Sequence, residues 1–224
     1  IENPLDAAID AHAKEAGFSP VGFTKIDEIP YDFHRRRLTI VAAEQGVTER
    51  HLVVTKGAWL NIAEVCTAVR SAAGTKPFDQ TAHDRLEAFF RAKSEEGYRV
   101  LAVAERHVPA QSHYGHDVEA GMTFAGFILF FDPPRASARD TIERLAALGI
   151  DIRVITGDNR YVAAHVAREV GLDAKSMLTG AEIDGMKEEA FWQRAASIDL
   201  FVEVDPQQKE RIVRALQRLS LIHI

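Results

Sequence analysis

The second half of the chain alternates apolar segments of strand length with segments of helix length. The apolar segments are 123–131, 150–155 and 200–204, and the helical segments are about 137–148, 161–170 and 206–219. Strands that alternate with helices, and that are apolar on both sides, are typical of a parallel sheet covered on both faces. We therefore predict an α/β domain over 123–224, with these three strands in one parallel sheet.

The first half predicts a different architecture. A helix is expected from Asn3-Pro4-Leu5-Asp6 to Gly17, because Asn3 suits an N-cap and Pro4 suits the first helical position. Strands are expected at 21–29, 38–44, 51–55 and 98–104, and helices at 58–69 and 81–96. Short connections between the first three strands favour antiparallel pairing. Residues 1–122 therefore indicate an α+β domain with an antiparallel sheet, in which Cys66 is expected to pack in the core.

Composition narrows the possible functions. The 224 residues are 46% hydrophobic and 27% charged, which is typical of a globular protein, and the net charge of -6 argues against a nucleic-acid binder. The longest apolar run, Phe124 to Phe131, is far shorter than the ~18 residues of a membrane helix. No signal peptide is visible at Ile1, and because the chain does not begin with Met we expect it to be an excised piece.

Polar residues follow the apolar strands of the second half. Asp132 stands in Asp132-Pro133-Pro134-Arg135, and Thr156-Gly157-Asp158 lies between a strand and a helix. Lys209 lies in the first turn of the last helix, where a cation is unfavourable unless an anion offsets it. We expect Asp132, Asp158 and Lys209 to meet at the carboxyl edge of the parallel sheet and form a phosphate site. Ordinary helix caps and a solvated lysine are the alternatives.

The first half carries basic and aromatic residues that suit a nucleotide. Lys56-Gly57-Ala58 joins a strand to a helix N-terminus, which can hold an anion. Arg35-Arg36-Arg37 follows Pro30-Tyr31-Asp32-Phe33, and such a pair of runs can stack a base and neutralise phosphates. Arg99 begins a strand after Gly97-Tyr98. Exposed turns with solvated charges are the alternative for each of these, and His113 and His116 are not expected to bind a metal.

These motifs follow one another along almost the whole chain. In order they are Asn3-Pro4-Leu5-Asp6, Pro30-Tyr31-Asp32-Phe33 with the arginine run, Lys56-Gly57-Ala58, Gly97-Tyr98-Arg99, Asp132-Pro133-Pro134-Arg135, Thr156-Gly157-Asp158, and Asp205-Pro206 with Lys209. The ordered set, over about residues 3 to 219, resembles the cytoplasmic ATP-binding region of P-type ATPases. Residues 25–37, 131–134 and 170–173 look most like the magnesium-transporting subgroup.

The resemblance implies a nucleotide-binding domain, roughly 1–122, inserted into a phosphorylation domain of haloacid-dehalogenase type, of which 123–224 is part. It implies that Tyr31, where the family usually has Phe, stacks on adenine. Lys56, with Gly57, is implied in the nucleotide pocket, and Asp6 near the adenine edge. Arg36 is implied as a basic nucleotide contact, although three adjacent arginines leave that register open.

The other implied positions concern the phosphates. Arg99 matches the arginine that reaches the phosphates of ATP. The positions implied on the phosphorylation-domain side of the cleft are Asp132, Arg135, Thr156, Gly157, Asp158 and Lys209. The last residues, 221–224, do not resemble the continuation of the family.

Two family motifs are absent from the sequence. It contains no Asp-Lys-Thr-Gly, which carries the phosphorylated aspartate, and no Gly-Asp-Gly-x-x-Asp, which holds catalytic magnesium. The resemblance therefore implies an inactive fragment, with no metal ligands of its own, of a pump that uses ATP and Mg²⁺ and transports magnesium through an aspartyl-phosphate. Its partners would be ATP and the actuator and transmembrane domains, on the cytoplasmic side of the cell membrane. A soluble haloacid-dehalogenase-type phosphatase and a free-standing ATP-binding regulatory module are the alternatives.

Overall fold

The computed structural model describes residues 4–172 and 176–219, and it is a mixed α/β structure with a mostly antiparallel main sheet. Helix α1 spans Pro4–Glu15 and ends, as predicted, before Gly17. The φ of Gly17 is 74°, in the left-handed region that favours glycine at a helix end. The predicted N-cap Asn3 and the tail 221–224 lie outside the described residues.

The main sheet has seven strands in the order β1-β2-β3-β6-β7-β4-β5. They are β1 Phe23–Asp32, β2 Arg37–Glu44, β3 Arg50–Gly57, β4 Cys66–Ser71, β5 Gly74–Pro77, β6 Tyr98–Pro109 and β7 Met122–Phe131. β1, β2, β3 and β6 pair antiparallel in turn, which confirms the prediction for the first three strands. β4 pairs antiparallel with β5 and parallel with β7.

The helices between these strands are α2, Trp59–Ala63, and α3, Gln80–Glu95, and a 3₁₀ turn spans His116–Glu119. The prediction of one helix over 58–69 is wrong, because strand β4 begins at Cys66. A register shift between Cys66 and Ala68 leaves both Cys66 and Val69 buried, so the strand imitates the spacing of a helix. Cys66 packs in the core as expected, and burial raises the pKa of its thiol to about 12.

Strand β7 corrects the predicted sheet of the second half. Its residues form part of the seven-stranded sheet, beside β6 and β4, and not part of a parallel sheet with 150–155 and 200–204. A strand between two neighbours in a covered sheet is also apolar over its whole length. The apolar run at 123–131 therefore could not distinguish between the two sheets.

A separate three-stranded parallel sheet has the order β8-β10-β9. Its strands are β8 Val154–Ile155, β9 Met177–Thr179 and β10 Leu200–Val202. The helices around them in the chain are α4 Ala138–Ala147, α5 Arg160–Glu169, α6 Gly180–Asp184, α7 Glu188–Ala195 and α8 Pro206–Arg218. The sequence predicted α4, α5 and α8 but missed β9, α6 and α7, which are each too short to show a clear period.

The chain forms two compact units. The described part of the first unit is 4–88 and 100–130, and that of the second is 89–99, 131–172 and 176–219. In the first unit, the buried ring of Trp59 packs against Phe78, Phe124 and Phe127. The second unit has its own core, in which Phe191, Phe201 and Ile212 are fully buried.

Candidate functional site

In the first unit, the end of β3 lies against the arginine run. Gly57 pairs with Arg37 across the sheet, and Lys56 pairs with Leu38. The N–H of Ala58 donates to the carbonyl of Arg36 at 3.0 Å. A Cβ at Gly57 would collide with that carbonyl and with Arg37, so only glycine permits the approach. Lys56-Gly57-Ala58 and Arg36 are therefore brought together.

A tight turn presents Arg36. The carboxylate of Asp32 accepts from the backbone N–H of His34 at 2.9 Å and of Arg35 at 2.7 Å. The bond from Arg35 is the main reason that the pKa of Asp32 is lowered. Arg36 itself has a φ of 48°, in the left-handed region, and its N–H donates to the carbonyl of Asp32 at 2.8 Å. The turn thus fixes the backbone of Arg36 in a conformation that arginine rarely adopts.

Tyr31 and Asp6 border this turn and the β3 end. The Tyr31 side chain is 49% exposed, and its ring meets that of Phe33 edge to face at 5.5 Å between centroids. Partial burial raises the pKa of the Tyr31 hydroxyl. The ammonium of Lys56 forms an ion pair with Asp6, which ties α1 to β3. A half-exposed aromatic ring can stack on a base, and a lysine and an arginine can donate to a phosphate.

We expect Gly57→Ala to destabilise the first unit by about 1–3 kcal/mol, because the added methyl group forces the β2–β3 end apart. The measurement is urea unfolding followed by fluorescence in a Trp192→Phe background, where Trp59 reports on the first unit alone. Gly126→Ala in β7 is the matched control, since a Cβ there meets nothing within 4 Å. Equal midpoints for the two variants would contradict the steric argument.

In the second unit, Arg99 joins two carboxylates. Its Nε lies 3.1 Å from Asp158 Oδ1, its Nη2 donates to Asp158 Oδ2 at 3.2 Å, and its Nη1 lies 3.7 Å from Asp132 Oδ2. The hydroxyl of Thr156 donates to Asp158 Oδ2 at 3.0 Å. These four side chains line a cleft of about 250 Å³, and β8 and α5 supply part of its apolar wall.

The backbone of Thr156-Gly157-Asp158 is held at the carboxyl end of β8. The N–H of Thr156 donates to Phe201 O at 2.9 Å, and the N–H of Glu203 donates to Asp158 O at 2.9 Å. A Cβ at Gly157 would lie 3.4 Å from the carbonyl of Val204, which is near ordinary contact. The role predicted for Gly157, close approach to an anion, therefore stays a prediction.

Two further predicted residues lie apart from the cleft lining. Arg135 and Lys209 are exposed, and neither is among the residues that line the cleft. Among the described residues of the lining, Arg99 faces the two carboxylates of Asp132 and Asp158, so these three side chains together carry a net negative charge. Asp132, Asp158 and Arg99 do converge, but the predicted offset by Lys209 stays a prediction.

Comparison with known proteins assigns the family. The family profile described as P-type ATPase, cytoplasmic domain N, matches residues 1–137, which is more than half of the 224 residues. The chain belongs to this P-type ATPase family. The match includes Asp6, Tyr31, Arg36, Lys56 and Arg99. The turn over residues 32–37, the arginine turn, is therefore part of the P-type ATPase segment.

Relatives extend the P-type ATPase similarity over most of the chain. The "Magnesium-transporting ATPase, P-type 1" of Salmonella typhimurium (strain 14028s / SGSC 2262) is 37% identical over 221 residues, covering 97% of this chain and 24% of that protein. Its namesake from Escherichia coli (strain K12) is 36% identical over the same shares. "Calcium-transporting ATPase 1" of Bacillus cereus (strain ATCC 10987 / NRS 248) is 27% identical over 195 residues, 86% of this chain and 22% of that protein.

The predicted resemblance to P-type ATPases, and to their magnesium-transporting members in particular, is confirmed by these identities. The chain spans about a quarter of the length of the curated relatives it matches. Over 4–172 and 176–219, no helix has the length and apolar character that a bilayer span requires. Within the same ranges, no group of three or more His, Cys, Asp or Glu side chains is arranged to hold a metal ion.

Sequence reasoning missed Glu119 of this P-type ATPase chain. Glu119 lies in a polar stretch of sequence between β6 and β7, yet its side chain is only 1% exposed. Burial alone would raise its pKa, but hydrogen bonds from Thr39, Arg35 and Arg37 outweigh burial and hold the pKa below the usual 4.5. The signal in the sequence was a run of three adjacent arginines, for which Asp32 can neutralise Arg35 but not all three.

Proposed function

We propose that the first unit binds ATP at the arginine turn, and that the chain is the nucleotide-binding cytoplasmic part of a P-type ATPase. The observation that carries the proposal is the approach of Lys56-Gly57-Ala58 to Arg36, beside the half-exposed ring of Tyr31. Tyr31 would stack on the base, with Lys56 and Arg36 as cationic donors to the nucleotide. Without ligand, Lys56 pairs with Asp6. When ATP binds, Lys56 would leave Asp6 and contact the nucleotide instead.

We further propose that the second unit is part of a phosphorylation domain of haloacid-dehalogenase type. A parallel sheet with Thr156, Asp158 and Arg99 at one cleft supports this assignment. Arg99 and Thr156 would donate to a phosphoryl group once Asp158 releases them. The described residues do not fit a magnesium site, because both cleft carboxylates are engaged by Arg99.

The parent protein is proposed to be an ion-translocating ATPase that forms an aspartyl-phosphate and carries magnesium. The names of the more similar relatives support this choice of ion over calcium. The parent would hold this chain on the cytoplasmic side of a membrane, joined to actuator and transmembrane domains. Because the sequence contains no Asp-Lys-Thr-Gly, we expect the chain alone to bind ATP without hydrolysing it.

Replacing Lys56 with Ala is expected to weaken ATP binding to the chain by about 1–3 kcal/mol, because a charge-assisted hydrogen bond is lost. Isothermal titration calorimetry measures the affinity. Lys76→Ala, at an exposed lysine of β5, is the matched control and should bind ATP as the parent chain does. Unchanged affinity in Lys56→Ala would remove Lys56 from the site, and absence of ATP binding to the unmodified chain would remove the proposed function.

A further inference from the structure

Glu119 is a buried carboxylate with unusually many donors. Its Oε1 accepts from Arg35 Nη1 and from Thr39 Oγ1, both at 2.6 Å. Its Oε2 accepts from Arg35 Nη1 at 2.8 Å and from Arg37 Nε at 3.0 Å. A carboxylate that is 1% exposed needs such partners, because an unpaired buried charge is very costly.

The two arginines that bind Glu119 also donate hydrogen bonds to the surrounding backbone. Arg35 Nη2 donates to the carbonyl of Pro30 at 2.8 Å, and Arg37 Nη1 donates to the carbonyl of Asn61 at 3.0 Å. The Arg35 and Arg37 side chains are 17% and 13% exposed. One carboxylate thus links the end of β1, the start of β2 and helix α2.

Arg36 lies between these two anchored arginines. Its left-handed backbone is fixed on one side by the bond to Asp32 and on the other by the bond from Ala58. Pro30, whose carbonyl Arg35 holds, directly precedes Tyr31. The position of both proposed ligand contacts, the aromatic ring and the middle arginine, therefore depends on the contacts that Arg35 and Arg37 make with Glu119.

We propose that Glu119 is a positioning residue of the nucleotide site, which neutralises Arg35 and Arg37 and so presents Arg36 and Tyr31 to the ligand. This inference rests on the proposed ATP binding of the first unit. It assigns distinct roles within the arginine run: the outer two arginines hold the turn, and the middle one faces the phosphates. Glu119 itself does not touch the nucleotide.

The charge of Glu119 is the property that matters. Glutamine has almost the same shape but removes the charge that Arg35 and Arg37 share. Arg35 is then left with its ion pair to Asp32, Arg37 loses the carboxylate with which it pairs, and the repulsion between the two guanidinium groups opens the turn. Aspartate keeps the charge while shortening the side chain. We expect Glu119→Gln to weaken ATP binding at least 10-fold, with Glu119→Asp between Glu119→Gln and the unmodified chain.

The experiment uses the whole 224-residue chain and ATP as the probe, with calorimetry at a temperature where every variant is folded. Val108→Ala is the control for lost stability. Val108 is a buried residue of β6 opposite His51, whereas Gly57 pairs with Ala102 nearer the other end of that strand. Val108→Ala should be less stable yet bind ATP within two-fold of the unmodified chain. If Glu119→Gln also binds within two-fold, Glu119 is only structural and the inference is overturned.

Hydrogen exchange without ligand separates this inference from the proposed function. The N–H groups of Arg36 and Ala58 close the turn, and their exchange should rise at least 10-fold in Glu119→Gln but not in Val108→Ala. Unchanged exchange would overturn the positioning role whatever the chain binds. If exchange rises but the unmodified chain binds no ATP, the proposed function fails, and the ligand role of Glu119 fails with it.

Discussion

Replacing Glu119 with Ala is expected to lower the free energy of unfolding of the first unit by about 3–5 kcal/mol at pH 7. Removing one member of a buried ion-pair network leaves charge uncompensated, and here two guanidinium groups and Thr39 each lose an acceptor. Urea unfolding of the Trp192→Phe chain, followed by Trp59 fluorescence, measures the loss. Glu105→Ala is the control, because its partner Arg70 is 59% exposed and such a pair contributes about 0–1 kcal/mol.

The same variant makes a pH prediction with a definite sign. The pKa of Glu119 is lower in the folded chain than its usual 4.5, so folding favours the ionised form. The stability that this adds is complete above about pH 4.5, and it is lost as the pH falls through the lowered value. The difference between the unmodified chain and Glu119→Ala should therefore be largest at neutral pH and shrink below pH 4.5. A difference that grows on acidification would show that Glu119 is not ionised in the fold.

The local pattern of the sequence was sufficient for much of the fold. α1, α3 and the antiparallel strands β1 to β3 have clear periods and glycine or proline boundaries, and these elements were predicted. Which strands pair with one another could not be predicted from the local pattern in the same way. β7 is apolar throughout, which suits a middle strand of either sheet, and only the contact with β4 and β6 places it. Cys66 and Val69 had helical spacing because of a bulge.

The candidate site shows the same division. Lys56, Arg36 and Tyr31 stand in short motifs, so their chemistry was visible before their positions were known. Glu119 stands 82 residues from Arg37 in a segment without a recognisable motif, and its importance comes from burial. Burial of one carboxylate cannot be inferred from a polar loop pattern. Asp132 and Asp158 were predicted to meet at the sheet edge, and both pair with Arg99. Arg99 itself was predicted from the family resemblance and not from the sheet edge.

In a full-length P-type ATPase that carries this segment, Arg99→Ala is expected to lower the rate of phosphoryl transfer by about 10²–10³-fold. Arg99 is a cation of the cleft lining, Asp158 holds its guanidinium, and the Thr156 hydroxyl donates to that same carboxylate. Removing one preorganised donor from developing negative charge costs about this much in other enzymes. Phosphoenzyme formation from labelled ATP, in a single turnover, measures the step without contribution from ion transport.

Arg139→Ala is the matched control for this prediction, because Arg139 is an exposed arginine of α4 that pairs with Glu143 on its own helix. Its rate should stay within two-fold of the unmodified pump. The Arg99 variant also tests whether Arg99 only neutralises Asp132 and Asp158 or also contacts the phosphoryl group. If Arg99 only compensates the two carboxylates, its loss should change stability and leave phosphoenzyme formation within the range of Arg139→Ala. A loss of rate at unchanged stability instead requires that the guanidinium leaves its carboxylates for the phosphoryl group during transfer.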